Sequence, residues 1–485
     1  MPARSREDLH ASRSGQRHLC QSSWRGGIHD HLGGGFSRYA VDERWVVPHF
    51  EKLLCDQALL LLTAAKAQEV SPNSFYRLMA EDIIFCLTRD FSDSTAYAQA
   101  FRAAIGGDTA DGEGRYYLWN EIELKKILPE SDAGLFCAAY AILPSGNFGS
   151  ELAGSQMSWN ILYEASTVNE LSKRYGIKGS EVGRRLFQCR KRLLEVRDKR
   201  YPLASDNKIL MGWNGLAIGA LSRASVVFEQ GEWRDIAERA ALFLQKNLPD
   251  KNNNWKRCWI EGHSEIDAIT EDYAFLLWGI IELYKAAKHF NSGERQLSDW
   301  LKLAQLLADV MIEKFWDGKN GGLFLDIENA PDVFVRMKSA EDNSLPSPNA
   351  IAAIALNELA VILEEKKYSD YSRNIIGCFS SYVSENPLVC LSLLTADLMW
   401  KPVKNKPEPK PEPVHVPTDE ELNAEASDNE VSAPETKNEH EIERRTRTSR
   451  RSARNEHSGT SSNSRAERIE RRSARSHRSA RTRER

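Results

Sequence analysis

Between Gly26 and Gln57 the chain reads GGIHDHLGGGFSRYAVDERWVVPHFEKLLCDQ, a span that carries His29, His31 and His49, the acids Asp30, Asp42, Glu43, Glu51 and Asp56, and five glycines. Imidazoles beside carboxylates are the usual means of moving protons near neutral pH. Gly33, Gly34 and Gly35 permit positive φ and let the backbone come close to a ligand. In PHFEK (48–52), Pro48 suits the first position of a helix, which puts His49, Lys52 and Asp56 on one face with Glu51 beside it. That arrangement predicts His49 as an acid/base group tuned by a carboxylate. The alternative is a histidine at a helix start that satisfies a neighbouring carbonyl. His29 and His31, at i and i+2, converge on one ion only in extended chain, and no third ligand stands at helical spacing, so no metal is expected.

Three later segments add polar groups of the same kind. SDNKILMGWNG (205–215) combines Asp206, Lys208, Trp213 and Asn214: an acid, a base, an aromatic platform and an amide. Such a mixture suits a polyhydroxylated ligand, with hydroxyls to bond and C–H faces to stack. In TEDY (270–273), Glu271 and Asp272 either favour the first turn of a helix or work as paired carboxylates at a cavity mouth, with Tyr273 beside them. Arg336 and the loop AEDNSLPSPNA (340–350), with Asp342 and Asn343, bring a further charge and amides, although turn formation also accounts for them.

The elements that must position these groups are helical. Apolar, alanine-rich helices at 47–67, 205–228, 269–287 and 347–363 alternate with one-sided helices at 75–91, 232–248, 296–316 and near 368–383. A helix that is apolar all round is buried on both sides, whereas a single stripe marks an outer helix. Two concentric layers follow, with short glycine-punctuated β-hairpins at 112–119 and 317–327. The predicted fold is all-α, an α/α toroid, with a less regular helical solenoid as the alternative. If the inner helices run in the same direction, the loops around His49, Asp206 to Asn214, Glu271 to Tyr273 and Asp342 to Asn349 gather at one mouth, where helix N-termini concentrate positive charge.

The 485 residues are unevenly composed: Leu, Ala, Ile and Trp dominate up to about Trp400, and Pro, Glu, Ser and Arg thereafter. The expected division is an irregular N-terminus (1–24), the toroid (25–400) and a disordered tail (401–485), acidic and Pro-rich before it becomes Arg- and Ser-rich. Formal net charge is −4. The tail repeats RRSAR at 450–454 and 471–475; it reads as a solvated end, with nucleic acid or an acidic partner as its alternative role. Eight scattered cysteines show neither a disulfide framework nor metal-finger spacing. No stretch is long and apolar enough for a membrane, so a soluble intracellular protein is expected, cytoplasmic or, given the Arg and Ser of the first dozen residues, mitochondrial. No cofactor is implied.

Taken in order, GGIHDHLGGGFSRYAVDERWVVPHFEKLLCDQALL, GEGRYYLW, NKILMGWNGLAI, EDYAFLLWGIIELY and EDNSLPSPNA resemble the spermatogenesis-associated protein 20 family and its bacterial YyaL-like members, over roughly residues 25–400. The resemblance implies a toroid similar to six-hairpin glycosidases and N-acylglucosamine 2-epimerases, and a carbohydrate-related enzyme. Three departures are expected to matter. The family's N-terminal thioredoxin-like domain is missing, Gly106 stands where an acid is expected, and residues 1–24 do not look like the helix that should precede GGIHDH. The ring is therefore expected to be incomplete. On this reading His49 is the acid/base and Glu51 orients it, with Asp206 and Asp272 as further proton-transfer groups. His29, His31, Arg38, Lys208, Trp213, Asn214, Glu271, Tyr273, Arg336, Asp342 and Asn343 bind a sugar or polyol. The rival is a non-catalytic binding or scaffold protein, a degenerate toroid with a charged interaction tail.

Overall fold

Each inner helix begins where an apolar run meets a short strand or loop that the next hairpin holds in place. A computed structural model describes residues 18–92, 99–110, 112–148, 158–251, 254–331 and 333–403. Most of the tail lies outside the described residues, as do residues 1–17. Residues 18–25 are helical, with Cys20 and Ser23 buried, which corrects the expected irregular start for that stretch. Trp24 anchors it by stacking on His29, ring centroids 4.1 Å apart.

The first hairpin is strand β1 (Lys52–Leu53), inner helix α1 (Leu54–Val70) and outer helix α2 (Ser74–Cys86), which runs into a π-helical turn, Leu87–Phe91. A one-residue excess in such a turn re-aims its side chains, and Arg89 and Asp90 lie in it. Strand β2 (Ala104–Ile105) follows, and β3 (Asp108–Thr109) pairs with β4 (Gly112–Glu113). The hairpin expected over 112–119 is thus shorter and pairs backwards in the chain, because 114–117 form turns.

Helices α3 (Glu121–Ile127), α4 (Glu130–Ala139), α5 (Val168–Tyr175) and α6 (Gly179–Arg197) build a separate apolar core around Leu135, Phe136, Val182 and Leu193. The other three hairpins match expectation closely. Strands β5 (Ser205–Asp206) and β6 (Ile209–Leu210) lead into inner α7 (Met211–Val227) and outer α8 (Gly231–Asn247). Strands β7 (Lys256–Ile260) and β8 (His263–Asp267) lead into inner α9 (Thr270–His289) and outer α10 (Glu294–Phe315). Inner α11 (Pro348–Leu363) and outer α12 (Lys366–Cys378) follow, and α13 (Leu391–Met399) packs on both.

The inner helices stand side by side in the order α1, α7, α9, α11, each backed by its own outer helix. This is an arc of an α/α toroid. Helices α7 and α9 approach so closely that a side chain at Gly279 would overlap the Gly215 carbonyl, at 2.3 Å. The N-terminal ends are tied in sequence. The antiparallel sheet β1-β2-β5 joins the starts of α1 and α7, the sheet β6-β7-β8 joins those of α7 and α9, and Thr270 donates through its backbone N–H to Leu325 O at 3.1 Å beside α11. All four N-termini therefore gather at one mouth. Among the described residues no helix is long and apolar enough to cross a membrane.

The loops before α1 and α11 are built alike. Asp30 and Asp317 each accept, through Oδ1, two backbone N–H groups, those of Leu32 and Gly33 or of Lys319 and Asn320. Gly34 and Gly35 have φ of 76° and 74°, Gly321 and Gly322 have 74° and 76°, in a region glycine alone enters without strain. A lysine closes each loop: Lys52 Nζ donates to Asp30 Oδ2 (2.8 Å) and Gly34 O (2.7 Å), Lys338 Nζ to Asp317 Oδ2 (2.9 Å) and Gly321 O (2.8 Å). The following inner helix clamps the loop through an amide, Gln57 bonding both backbone groups of Phe36, and Asn349 both of Leu323. The hairpin expected over 317–327 is this loop, with a single bridge between Trp316 and Leu323.

Candidate functional site at the toroid mouth

PHFEK does not open a helix. Pro48 bridges Ala40, Phe50 has φ of 63°, and Lys52 and Leu53 form β1, so α1 starts only at Leu54. His49 therefore projects from extended chain at the mouth. Its ring stacks on Tyr39 with centroids 4.7 Å apart, and its buried Nδ1 has no hydrogen-bond partner. Glu51 Oε2 lies 3.9 Å from Arg38 Nη1, and the Arg38 backbone N–H donates to Glu51 O at 2.8 Å. In the first turn of α1, Asp56 has a buried Oδ2 without a partner. Burial pushes its carboxyl up to about 6; Arg38 opposes the rise and Glu51 adds to it. A carboxyl poised there can exchange a proton near neutral pH.

The sheet brings a second acid to this place. Leu53 pairs with Ala104, and Ala104 with Asp206, so Asp206 sits two strand spacings, about 9.5 Å, from the residue that precedes α1. Lys208 Nζ donates to Asp206 Oδ2 at 2.8 Å, and both are exposed. Arg38, Glu51 and Asp56 thus cluster at the start of α1, with Asp206 and its partner Lys208 two strands away before α7.

Other residues expected to act there are bound into the framework. Asp272 is 1% exposed: its carboxylate accepts from the N–H of Gly212 (3.2 Å) and of Ile269 (3.0 Å) and meets Arg257 at 3.2 Å. It caps α9 and ties it to α7, and does not line a cavity. Burial pushes it up to about 6, against the neighbouring Arg257. Glu271 pairs with the same Arg257 at 3.2 Å. Asn214 is fully buried and bonds both backbone groups of Phe101, each at 2.9 Å, so it is a clamp of the Gln57 type and cannot meet a ligand. Tyr273 is buried against Phe315, and Trp213 is half-buried on the core. Arg336 donates to Asp326 O and Lys314 O and lies over the Phe324 ring. Asp342 accepts from the N–H groups of Ser347 (2.9 Å) and Ser392 (2.8 Å), a turn-forming role, and Asn343 is an exposed loop residue.

His29 and His31 also serve the framework. His29 bridges Trp24 O and Asp82 Oδ2, each at 3.0 Å, and is 4% exposed. His31 Nε2 lies 3.0 Å from Gly26 O, its ring edge-on to His29 and Tyr140. The residue between them is the electrostatic centre. Asp30 receives Lys52 at 2.8 Å and a two-pronged contact from Arg197 at 2.7 and 2.9 Å. Burial opposes its ionisation, but Arg197 and Lys52 overcome that and hold its carboxyl well below the usual range. Sequence reasoning passed over this triad because Arg197 lies at the far end of α6. Among the described residues no group of three or more His, Cys, Asp or Glu could hold a metal ion.

No family model matches the chain. It is 29% identical to spermatogenesis-associated protein 20 of Rattus norvegicus over 406 residues, 78% of this chain and 50% of the relative. For the Homo sapiens protein the figures are 28%, 78% and 50%. The chain spans about half the length of the curated relatives it matches. Solved structures similar to it include a cellobiose 2-epimerase from Bacillus thermoamylovorans, TM-score 0.47 and 12% identity over 77% of this chain and 72% of that one. A sugar epimerase from a ruminal bacterium gives 0.46 and 11% over 76% and 72%. The resemblance carried by the ordered motifs from GGIHDHLGGGF to EDNSLPSPNA is thus borne out as similarity to spermatogenesis-associated protein 20.

Proposed function

We propose that the toroid mouth binds a sugar or related polyol and performs acid/base chemistry on it, with His49 and Asp56 as the proton-transfer pair. The supporting observation is the unpartnered, buried Oδ2 of Asp56, on a carboxyl pushed up to about 6, beside Arg38 and Glu51. A partly buried acid without a partner costs stability, and it is tolerated where a ligand or a proton completes it. Asp206 and Lys208 supply exposed groups for hydroxyls across the mouth. Epimerisation and hydrolysis both use two such groups; for hydrolysis the carboxyls stand about 5 to 9.5 Å apart.

The test is calorimetric titration of the full chain with a library of neutral monosaccharides and disaccharides, followed by turnover assays on any sugar that binds. The expected result is binding that Arg38→Ala weakens, and a rate that Asp56→Asn lowers about a hundredfold or more. The ionisation seen near pH 6 in the rate should vanish in that variant. Binding without turnover would favour the scaffold reading, which the framework roles of Asp272 and Asn214 also support. No binding to any sugar would remove both the catalytic and the sugar-binding proposals.

A further inference from the structure

On the other side of the sheet β1-β2-β5 lies a cleft that the mouth residues do not line. It has two adjoining lobes of about 500 and 480 Å³, which share Tyr116, Arg200 and Pro202. Six cationic side chains line it: Arg89, Arg102, Arg115, Arg197, Lys199 and Arg200. Four carboxylates answer them, Asp30, Asp90, Asp198 and Glu123. The cleft therefore carries two more positive than negative groups, in a chain whose net charge is −4. Such a concentration of one sign in a concave wall focuses the field on an incoming ion.

The walls are also aromatic. The guanidinium of Arg197 lies 4.9 Å from the Tyr116 ring centre and that of Arg115 lies 3.4 Å from Trp159, while that of Arg200 lies 3.9 Å from Trp119, which is buried behind the wall. Most of these cations have fixed work. Arg197 holds Asp30, and Arg200 bonds three backbone carbonyls and Glu123. Arg89 is different. The π-helical turn projects it into the cleft, and its one hydrogen bond there is from Nη2 to Asp90 at 2.8 Å. Its Nε and Nη1 are buried without hydrogen-bond partners, the nearest acid to Nη1 being Asp198 at 3.6 Å. Buried guanidinium donors are costly to leave unpaired, and a planar guanidinium matches the two oxygens of a carboxylate or phosphate.

We propose that this cleft binds the oxyanion of a small polyhydroxylated acid, a sugar carboxylate or sugar phosphate, at the guanidinium of Arg89, whose Nε has no partner and whose Nη1 has only the longer ion pair to Asp198. The ring of the ligand then lies against Tyr116, which is only half-buried. The site is independent of the acid/base reading of the mouth, and either holds without the other.

The probes are glucuronate, glucose 6-phosphate, inorganic phosphate and glucose, titrated into the full chain by calorimetry at low and high salt. At least one of the two acidic sugars binds, glucose does not bind at this site, and rising salt weakens the binding. Preference for glucuronate or for glucose 6-phosphate identifies the anion. Arg89→Gln weakens it about tenfold or more while Arg89→Lys recovers part of the loss, and Asp56→Asn leaves it unchanged. Should Arg89→Gln fail to fold, Arg89→Lys and the salt dependence carry the test. Glucose binding that Arg89→Gln weakens as much as it weakens glucuronate binding, acidic-sugar binding insensitive to salt, unchanged affinity in the Arg89 variants, or no binding of either acidic sugar overturns the proposal.

Discussion

A histidine, an acid or an amide in a polar loop is chemically ambiguous until its burial is known, and here burial divides the candidates. Asp56 and His49 keep unpartnered atoms, while Asp272, Asn214 and His29 are completed by the protein itself. The sequence offered capping as one reading of TEDY, and it left Asp56 as a neighbour of His49 without a role of its own. Nothing in residue type separates these cases, because a cap and a catalytic acid are both carboxylates at a helix start. His31 shows how burial becomes measurable. Burial first and then His29 hold it well below its ordinary 6.5, against the raising effect of the bond to Gly26 O. A histidine lowered in this way is neutral in the folded state, so the unfolded chain binds its proton first as pH falls below about 6.5. Stability is lost in that direction, by up to about 2 kcal/mol between pH 6.5 and 5. The variant His31→Gln keeps a donor for Gly26 O but does not titrate. Urea unfolding at pH 7 and pH 5 should show a smaller loss in the variant than in the unaltered chain, and an equal loss would refute the assignment.

At the scale of elements, periodicity revealed the eight inner and outer helices of the four hairpins to within a few residues, apart from the start of α7, where β5 and β6 occupy part of the expected helix, and the start of α1. That start was misread because Pro48 suits a helix as well as a strand edge, and the positive φ of Phe50 that breaks the turn leaves no mark in sequence. The unit from α3 to α6 received no assignment, although α6 carries a one-sided apolar stripe. The twin loops were legible and overlooked. Asp30 and Gly34-Gly35-Phe36 have the same spacing as Asp317 and Gly321-Gly322-Leu323, but the extra Gly33 disguised the first and a hairpin reading the second. The two differ in how tightly the end of the outer helix approaches. A Cβ at Gly35 would come within 2.6 Å of Cys86 Sγ, and one at Gly322 within 3.2 Å of Cys378 Sγ. Both alanine variants incur the strain of positive φ, about 1–2 kcal/mol. Only Gly35→Ala adds an overlap with a buried thiol in a close-packed core. Chemical denaturation should therefore give a markedly larger loss for Gly35→Ala than for Gly322→Ala; equal losses would show that the loops are not governed by this contact.

For the whole molecule, the sequence pointed to an α/α toroid, and among the described residues the inner helices α1, α7, α9 and α11 stand side by side in an arc. The mouth follows from that arc, because hairpins repeated in one direction bring every inner N-terminus to the same end. The second cleft does not follow from it. It depends on the turn after α2, the segment 115–117 and the end of α6, which meet only once the hairpins are packed. The Arg-rich tail lies outside the described residues and is separable from the fold on composition. From 444 to 485 there are fifteen arginines and four glutamates, with few apolar residues to bury. A segment of that kind adds no core, so deleting 445–485 should leave thermal unfolding of the remainder unchanged. Its charge nevertheless suits a phosphate backbone, with an affinity that falls steeply as salt rises. On an immobilised RNA or DNA column the full chain should be retained at low salt and released as salt increases, while the chain ending at 444 should flow through. Equal retention of the two chains would assign nucleic-acid binding to the folded part, with the positive cleft around Arg89 as the next surface to test, and would leave the tail as a solvated end.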